Sequence, residues 1–180
     1  MKLVIPMAGL GTRMRPHTWT RPKPLLPLAG KPMLGHILDR FRDLPVDEYV
    51  FITGWLGEQV EAYIRAGYTI TAHFVVQKEM LGQSHALWLA REYLEGPLFV
   101  LFVDTLFDDV DFSGLELLDA DGVIFTKREE DPRRFGVVEA DASGRALKLI
   151  EKPDSVENKN VLIGLYYFKD GAWLARACET

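Results

Sequence analysis

The segment from Ala8 to Met33 carries the side chains of this chain that are best suited to bind an anion. Its sequence, AGLGTRMRPHTWTRPKPLLPLAGKPM, places glycine, arginine and lysine directly after a short apolar run, KLVIP. Glycine lets backbone N–H groups approach phosphate oxygens closely. Arg13 can add a planar two-pronged contact, and Lys23 a compact positive charge. The segment therefore predicts a loop that binds a small phosphorylated ligand.

Positive charge is concentrated in the first part of the chain. Residues 1–38 contain six basic residues and no acidic residue, which leaves 15 basic and 26 acidic residues in the rest of the chain. The formal net charge of the whole chain is −5. A local positive potential on an acidic body favours a small anion over a polynucleotide. We therefore expect no nucleic-acid partner.

Length and composition indicate one domain over residues 1–180. A chain of 180 residues with 48% hydrophobic content is long enough to bury one core. The single cysteine, Cys178, excludes an internal disulfide framework and favours a reducing, cytoplasmic location. Pro6 interrupts the first apolar run before it reaches the length of a signal peptide or a membrane span, so no membrane partner is expected.

Hydrophobic periodicity predicts alternating strands and helices in the first half of the chain. Apolar runs bounded by turn residues indicate strands at Lys2–Pro6, Glu48–Thr53, Thr69–Val76 and Pro97–Val103. Helical spacing indicates helices around residues 34–44, 60–67 and 86–94. The runs LFVLFV and HFVVQ lack alternation, which is typical of strands covered on both faces. The prediction is an α/β fold with a three-layer, Rossmann-like sheet whose N-terminal half is parallel.

After Asp121 the pattern changes to closely spaced strands. The runs GVIFT, FGVVEA, ALKLI and VLIGLYYF, with a tight turn at residues 141–144, predict antiparallel or mixed strands. The tail GAWLARACET indicates the first turns of a helix without a cap. The abrupt end of this helical segment is expected if the chain is one part of a longer architecture.

Polar residues follow three of the predicted parallel strands. The glycine loop follows the first strand, Gln77 the third and Asp104 the fourth. In open α/β sheets, ligands bind beyond the carboxyl ends of the strands, so we expect these residues to share one crevice. The loop matches neither standard nucleotide motif, because a third dinucleotide-type glycine is missing and Gly30-Lys31 is followed by Pro32 rather than Ser or Thr.

The whole segment instead resembles the signature of the sugar-1-phosphate nucleotidylyltransferases, approximately G-x-G-T-R, P-K-P-L-x-P and G-K-P. Later segments resemble further motifs of that family in the family's order: Gln77, Gly82-Gln83-Ser84-His85-Ala86, Asp104, Phe135-Gly136-Val137-Val138, Glu151-Lys152-Pro153 and Gly164-Leu165-Tyr166. The resemblance implies a nucleotide-diphospho-sugar transferase-like fold. It also implies transfer of a nucleotidyl group from an NTP to a sugar 1-phosphate, with release of pyrophosphate.

That reaction asks little acid–base chemistry of the protein. The attacking sugar phosphate is largely ionised at neutral pH, because the second pKa of a phosphomonoester is about 6, so no general base is required. The remaining task is alignment for in-line attack at the α-phosphorus and neutralisation of charge. The resemblance implies Mg²⁺ as the cofactor.

The resemblance also assigns roles to residues. The catalytic residues are expected to be Arg13, Lys23 and Asp104, with Asp104 as the metal ligand. The nucleotide is expected to contact Ala8, Gly9, Gly11, Thr12, Arg13, Gln77 and Gly82. The sugar phosphate is expected to contact Lys23, Gly136, Glu151, Lys152 and Gly164.

Three features depart from the common family pattern. The glycine loop is one residue shorter than Ala-Gly-Gly-x-Gly and resembles the uridylyltransferase branch. Val103 stands where relatives commonly have glycine before the metal-binding Asp. The family's second metal-binding Asp and its terminal helices lie beyond residue 180, and Asp170 comes too early in the chain to be that Asp. The expected unit is therefore a single nucleotidylyltransferase domain without the family's C-terminal part.

Several alternatives stay open at this point. UTP or dTTP and glucose 1-phosphate are the favoured substrates, and assembly into a homo-oligomer stays an open alternative. An enzyme is favoured by the intact set of phosphate-binding and metal-binding residues, Arg13, Lys23, Asp104, Glu151 and Lys152. The missing second carboxylate favours a non-catalytic binding module or regulatory subunit instead. The E-K-P and F-G-V segments disfavour a cytidylyl- or guanylyltransferase that acts on a non-sugar phosphate.

Overall fold

One eight-stranded sheet forms the centre of the protein. The structure is a computed structural model, and it describes residues 1–108 and 110–179. The strands and helices in chain order are β1 (Lys2–Pro6), β2 (Pro27–Leu28), β3 (Lys31–Pro32), α1 (Met33–Arg40), β4 (Glu48–Thr53), α2 (Gly57–Gly67), β5 (Thr71–Val76), α3 (Gln83–Leu89), β6 (Leu98–Leu101), β7 (Gly122–Arg128), β8 (Gly136–Ala140), β9 (Ala146–Glu151), β10 (Asn160–Phe168) and α4 (Gly171–Ala177). The short strands β2 and β3 pair only with each other, as a small antiparallel ladder.

The large sheet is parallel in its N-terminal half and antiparallel in its C-terminal half. β1 lies between β4 and β6 and is parallel to both, and β5 extends the sheet beyond β4 in the same direction. β10 is antiparallel to β6, β7 and β8, and β8 and β9 form a hairpin. The strand order is β5-β4-β1-β6-β10-β8-β9, with β7 paired to β10. This confirms the mixed sheet that the sequence predicts.

Helices cover both faces of the parallel half. Because successive side chains of a strand point to opposite faces, β1 contributes to two separate cores. Leu3 and Ile5 pack in one cluster with residues of α1 and α2, and Val4 packs in the other with residues of α3. All three side chains are fully buried. The predicted three-layer arrangement is confirmed.

Two strands differ from their predicted form. β5 begins at Thr71 rather than Thr69 and is an edge strand beside β4. Phe74 and Val75 pack in the two separate cores, as expected for a strand covered on both faces, but Val76 at its end is 57% exposed. β6 ends at Leu101 rather than Val103, because the backbone turns at Phe102, where Thr105 N donates to Phe102 O at 2.9 Å.

Helix α4 has a cap, which corrects the expectation of an uncapped helix. Asp170 precedes the helix, and its Oδ1 accepts hydrogen bonds from Ala172 N at 3.0 Å and from Gly96 N at 3.2 Å. Asp is a favoured N-cap residue because its carboxylate satisfies a free backbone donor of the first turn. Asp170 therefore joins α4 to the loop before β6. Across the described ranges, none of the helices combines the length and the apolar character needed to cross a membrane.

Replacing Asp170 by alanine is expected to destabilise the fold. Ala172 N and Gly96 N both lose their acceptor, so the free energy of unfolding should fall by about 1–2 kcal/mol in urea titrations at neutral pH. Asp154→Ala is the matched control, since Asp154 is an exposed carboxylate in the turn before β10. That control should stay within about 0.5 kcal/mol of the unsubstituted chain. Equal losses in the two variants would contradict a capping role for Asp170.

Candidate active site

A cavity of about 550 Å³ opens at the carboxyl ends of the parallel strands. Loops after β1, β5 and β6 line it, together with the start of α3. The predicted nucleotide-binding and catalytic residues that line it are Ala8, Gly9, Gly11, Thr12, Arg13, Lys23, Gln77, Gly82 and Asp104. The three loops expected to converge therefore do meet in one place, and every residue of those two sets is present.

The glycine loop is held in shape by Thr18. Gly11 adopts a left-handed conformation with φ of 62°, and its carbonyl accepts a hydrogen bond from Thr18 Oγ1 at 2.9 Å. A Cβ at Gly11 would lie 2.8 Å from Thr18 Cγ2, so only glycine fits there. Trp55 Nε1 in turn donates to Thr18 O at 3.1 Å. The loop is thus anchored to the segment after β4, and it leads directly into the 3₁₀ turn Thr12–Met14 that carries Arg13.

The basic residues of the first segment differ in how their charge is balanced. Lys23 Nζ lies 2.6 Å from Asp104 Oδ2, and the Lys31 ammonium pairs with Asp39. Arg13, by contrast, forms no ion pair with any residue that the structure describes. The net positive charge of the cavity therefore comes from Arg13, because Lys23 and Asp104 neutralise each other.

Asp104 supplies the one carboxylate among the described residues that line the cavity. Its side chain is 59% exposed, and its ion pair joins the loop after β6 to Lys23, which begins the 3₁₀ turn Lys23–Leu25. The sequence predicted both residues for the site, but it gave no indication of their direct contact across 81 positions.

Gln77 is almost fully buried and is held by two hydrogen bonds. Its Nε2 donates to Gly82 O at 3.0 Å and also lies 3.0 Å from His85 Nδ1. A backbone carbonyl can only accept, so the NH₂ group must face Gly82. The amide oxygen of Gln77 forms no hydrogen bond within the described part of the chain. It is therefore the atom of this side chain left to accept from a ligand, and His85 has a supporting role.

Of the residues predicted to contact the sugar phosphate, Lys23 lines this cavity, whereas Gly136, Glu151 and Lys152 form a second group outside its lining. Gly136 pairs with Glu151 across β8 and β9, and a Cβ on Gly136 would lie 3.2 Å from Glu151 Oε2. Lys152 Nζ is 3.4 Å from Glu151 Oε1, and its backbone has a left-handed φ of 47°. Gly164 does not join this group, because it packs against Phe102 and Thr105 beside Asp104.

Two aromatic side chains connect the two groups, and sequence reasoning gave neither of them a role. Phe102 lines the cavity, and its ring centroid lies 5.9 Å from that of Tyr166. Burial, and to a lesser degree the charge of Glu151, raises the pKa of Tyr166. Tyr166 therefore stays neutral at physiological pH, and its ring packs against Phe102, which lines the cavity together with Asp104. Its place in the Gly164-Leu165-Tyr166 segment was the only indication in the sequence.

A divalent metal at this site would depend on Asp104. Within residues 1–108 and 110–179, no group of three or more Asp, Glu, His or Cys side chains could hold a metal ion. Mg²⁺ commonly keeps several waters and binds through one or two carboxylates together with substrate phosphates. A single, well-exposed carboxylate beside an anion-binding loop therefore fits a metal ion that is bound jointly with a phosphate ligand.

Comparisons with known proteins agree with this site and fold. The Nucleotidyl transferase family model matches residues 2–179. The bifunctional protein GlmU of Methanococcus vannielii is 35% identical over 161 residues, covering 89% of this chain and 37% of that protein. A glucose-1-phosphate thymidylyltransferase of Streptomyces griseus is 30% identical over 186 residues, covering 100% of this chain and 52% of the relative. The chain thus spans about a third to a half of the length of these relatives.

A solved structure of UDP-glucose pyrophosphorylase complexed with UDP-glucose has the same fold. The two superpose with a TM-score of 0.82 at 22% identity, over 93% of this chain and 75% of that chain. The predicted nucleotide-diphospho-sugar transferase-like fold is therefore confirmed.

Gly11→Ala is expected to destabilise the glycine loop and the protein with it. A left-handed φ in a residue that has a Cβ costs about 1–2 kcal/mol, and the contact with Thr18 adds to that cost. Gly9→Ala is the matched control, since Gly9 lacks a positive φ and a Cβ there meets nothing within 4 Å. The control should change the free energy of unfolding by less than about 0.5 kcal/mol in urea titrations. If Gly11→Ala is as stable as Gly9→Ala, the packing described for this loop is wrong.

Proposed function

The chain belongs to the nucleotidyl transferase family, among the sugar-1-phosphate nucleotidyltransferases, and we propose that it transfers a nucleotidyl group from a nucleoside triphosphate to a sugar 1-phosphate. The observation that supports this most is the meeting of Arg13, Lys23 and Asp104 in one cavity beside a glycine loop. The products are a nucleoside diphosphate sugar and pyrophosphate. A module that only binds nucleotide needs no carboxylate facing its own anion site.

The reaction needs cations and alignment rather than a proton acceptor. The sugar phosphate oxygen that attacks the α-phosphorus is already ionised for the most part. Arg13 has its charge available, and we assign it to the β- and γ-phosphates, which leave as pyrophosphate. Lys23 can hold the α-phosphate and the sugar phosphate together, because its ammonium has three donors. The glycine loop adds backbone N–H groups without steric cost.

The ion pair between Lys23 and Asp104 has to separate during substrate binding. Phosphate oxygens offer Lys23 a stronger set of acceptors than one exposed carboxylate. Asp104 is then free to hold Mg²⁺ jointly with the phosphates, and the metal would supply charge neutralisation at the reacting phosphates. Binding of the metal and of the nucleotide should therefore favour each other.

Gln77 supports UTP or dTTP as the nucleotide. Its amide oxygen is an acceptor in the cavity, since its NH₂ group is directed at Gly82 O. Uracil and thymine have a ring N–H that donates to such an acceptor. Cytosine has an acceptor at the same ring position, so it would face the amide oxygen without a hydrogen bond. The orientation of this one buried amide therefore supports uracil or thymine over cytosine.

Gly136, Glu151 and Lys152 are proposed to bind the sugar 1-phosphate. Glu151 can accept hydrogen bonds from sugar hydroxyls, and Lys152 adds a positive charge for the phosphate. Gly136 keeps Glu151 accessible, since a side chain there would start 3.2 Å from Glu151 Oε2. Glucose 1-phosphate is the proposed substrate. We also propose a cytoplasmic location, because the single cysteine is a free thiol.

The direct test is release of pyrophosphate by the purified chain with Mg²⁺. UTP, dTTP, GTP, CTP and ATP are each combined with glucose, mannose and N-acetylglucosamine 1-phosphates. We expect turnover that requires both substrates, is fastest with UTP or dTTP, and falls at least about a hundredfold in Asp104→Asn, which loses its metal ligand. A folded chain that binds nucleotide but turns over none of the pairs would support the binding-module alternative instead.

The coupling through Lys23 can be measured without turnover. Lys23→Met should tighten binding of Mn²⁺ alone, because Asp104 loses its competing ammonium. The expected gain is about two- to fivefold, the range of an exposed ion pair. The same variant should weaken binding of UTP. Lys31→Met is the matched control, since the Lys31 ammonium pairs with Asp39 away from the cavity lining. Electron paramagnetic resonance of Mn²⁺ gives the affinities, and unchanged Mn²⁺ affinity in Lys23→Met would contradict the coupling.

A further inference from the structure

A tight turn presents Asp104 to the cavity. The turn follows directly after β6 and is closed by the hydrogen bond from Thr105 N to Phe102 O at 2.9 Å. Val103 and Thr105, on either side of Asp104, are buried, whereas the Asp104 side chain is mainly exposed. The turn thus keeps the residues on either side of Asp104 buried and exposes the Asp104 carboxylate to the cavity.

Two hydrogen bonds fasten this turn to β10. Phe102 N donates to Gly164 O at 2.9 Å, and the Thr105 hydroxyl donates to Ile163 O. The first bond joins backbone to backbone, and it comes before Asp104. The second depends on a side chain and comes directly after Asp104. The turn that carries the carboxylate is therefore fastened by two bonds of different kinds. The backbone bond of Phe102 does not depend on the side chain, whereas the bond of Thr105 requires a hydroxyl group.

The acceptors of these bonds lie at a break in β10. Pairing with β7 shifts register between Leu162 and Tyr166, and Gly164 in that interval has a φ of 77°. A Cβ on Gly164 would lie 2.8 Å from the ring of Phe102 and 2.9 Å from Thr105 Oγ1. The glycine and the irregular pairing therefore make room for the turn and direct carbonyl groups toward it.

The Asp104 carboxylate itself has one partner among the described residues, the ammonium of Lys23. On the proposed mechanism, that partner leaves when phosphates arrive. From that moment the position of the carboxylate depends on the backbone turn and on its two bonds to β10. The Thr105 bond thus matters most in the state in which the metal is bound.

We propose that Thr105 is a positioning residue, whose hydroxyl keeps the Asp104 carboxylate in place to bind the metal together with the nucleotide. This role rests on the proposed function, because it presumes that Asp104 is the metal ligand. Thr105 itself faces away from the ligand, since it is buried and its hydroxyl is used by Ile163 O. Groups that orient a metal ligand typically contribute about 10- to 100-fold to metal affinity or activity.

The test compares Thr105→Val with Thr105→Ser. Valine keeps the shape of threonine and removes the donor, whereas serine keeps the donor. With the chain in excess over UTP, so that the nucleotide is bound to protein, and without sugar phosphate, Mn²⁺ affinity measured by electron paramagnetic resonance should fall about tenfold or more in Thr105→Val. Thr105→Ser should stay within about threefold of the unsubstituted chain, and UTP affinity without metal should stay unchanged in both variants.

Thr53→Val controls for the loss of a buried hydroxyl in general. Thr53 is buried at the end of β4, and its hydroxyl makes a long hydrogen bond of 3.5 Å to Val75 O. A change in overall stability would affect this variant and Thr105→Val alike, as thermal unfolding would show. Only Thr105→Val should lose Mn²⁺ affinity.

The outcomes distinguish failure of the proposed function from failure of the role of Thr105 alone. If the unsubstituted chain binds no UTP with Mn²⁺, the proposed function fails, and the role of Thr105 fails with it. If the unsubstituted chain binds both and Thr105→Val binds Mn²⁺ equally well, the role of Thr105 alone is overturned. It is overturned as well if Thr105→Ser loses as much affinity as Thr105→Val, because the methyl group rather than the hydroxyl would then be what matters.

Discussion

The ion pair between Lys23 and Asp104 is the contact on which the candidate site depends. It exists because β1 and β6 are parallel neighbours, so the loops that follow them leave the sheet side by side. Without Asp104, the cavity would hold two cations close together and no anion among its described lining residues. With it, the cavity keeps only the charge of Arg13. The charge of Lys23 is therefore already balanced by a carboxylate before any substrate binds.

The two halves of the sheet contribute different things to this site. The parallel half places loops from three strands at one edge, which is the usual consequence of parallel pairing with crossover helices. The antiparallel half brings Gly136 opposite Glu151 and supplies, through the break at Gly164, the surface against which the Asp104 turn packs. Phe102, in the loop after β6, packs against Tyr166 of β10 with ring centroids 5.9 Å apart. β10 therefore contacts the turn that carries Asp104 through packing and two hydrogen bonds.

Features of this structure that depend on residues close together in the sequence could be predicted, whereas features that depend on residues far apart in the chain could not. β1 and β4 match their predicted bounds because continuous apolar runs bounded by turn residues are local features. The exposed edge of β5 depends on strand order, which no local pattern records. The Asp170 cap could have been predicted, since Asp directly before a helical segment is a typical N-cap. The contact of Lys23 with Asp104 joins residues 81 positions apart and follows only from the assembled sheet.

At Gly164, the role that the family motif implies differs from the role that the packing shows. The family resemblance suggests contact with the sugar, yet a side chain at this position would first collide with Phe102 and Thr105. A glycine inside a strand often marks a bulge or the close approach of another backbone segment, and here it marks both. Packing within the protein is therefore sufficient to require glycine at this position, without any ligand contact. On the proposed function, the Asp104 carboxylate exchanges an ammonium for a metal ion, and the turn that carries it is fastened to the irregular part of β10 by two hydrogen bonds.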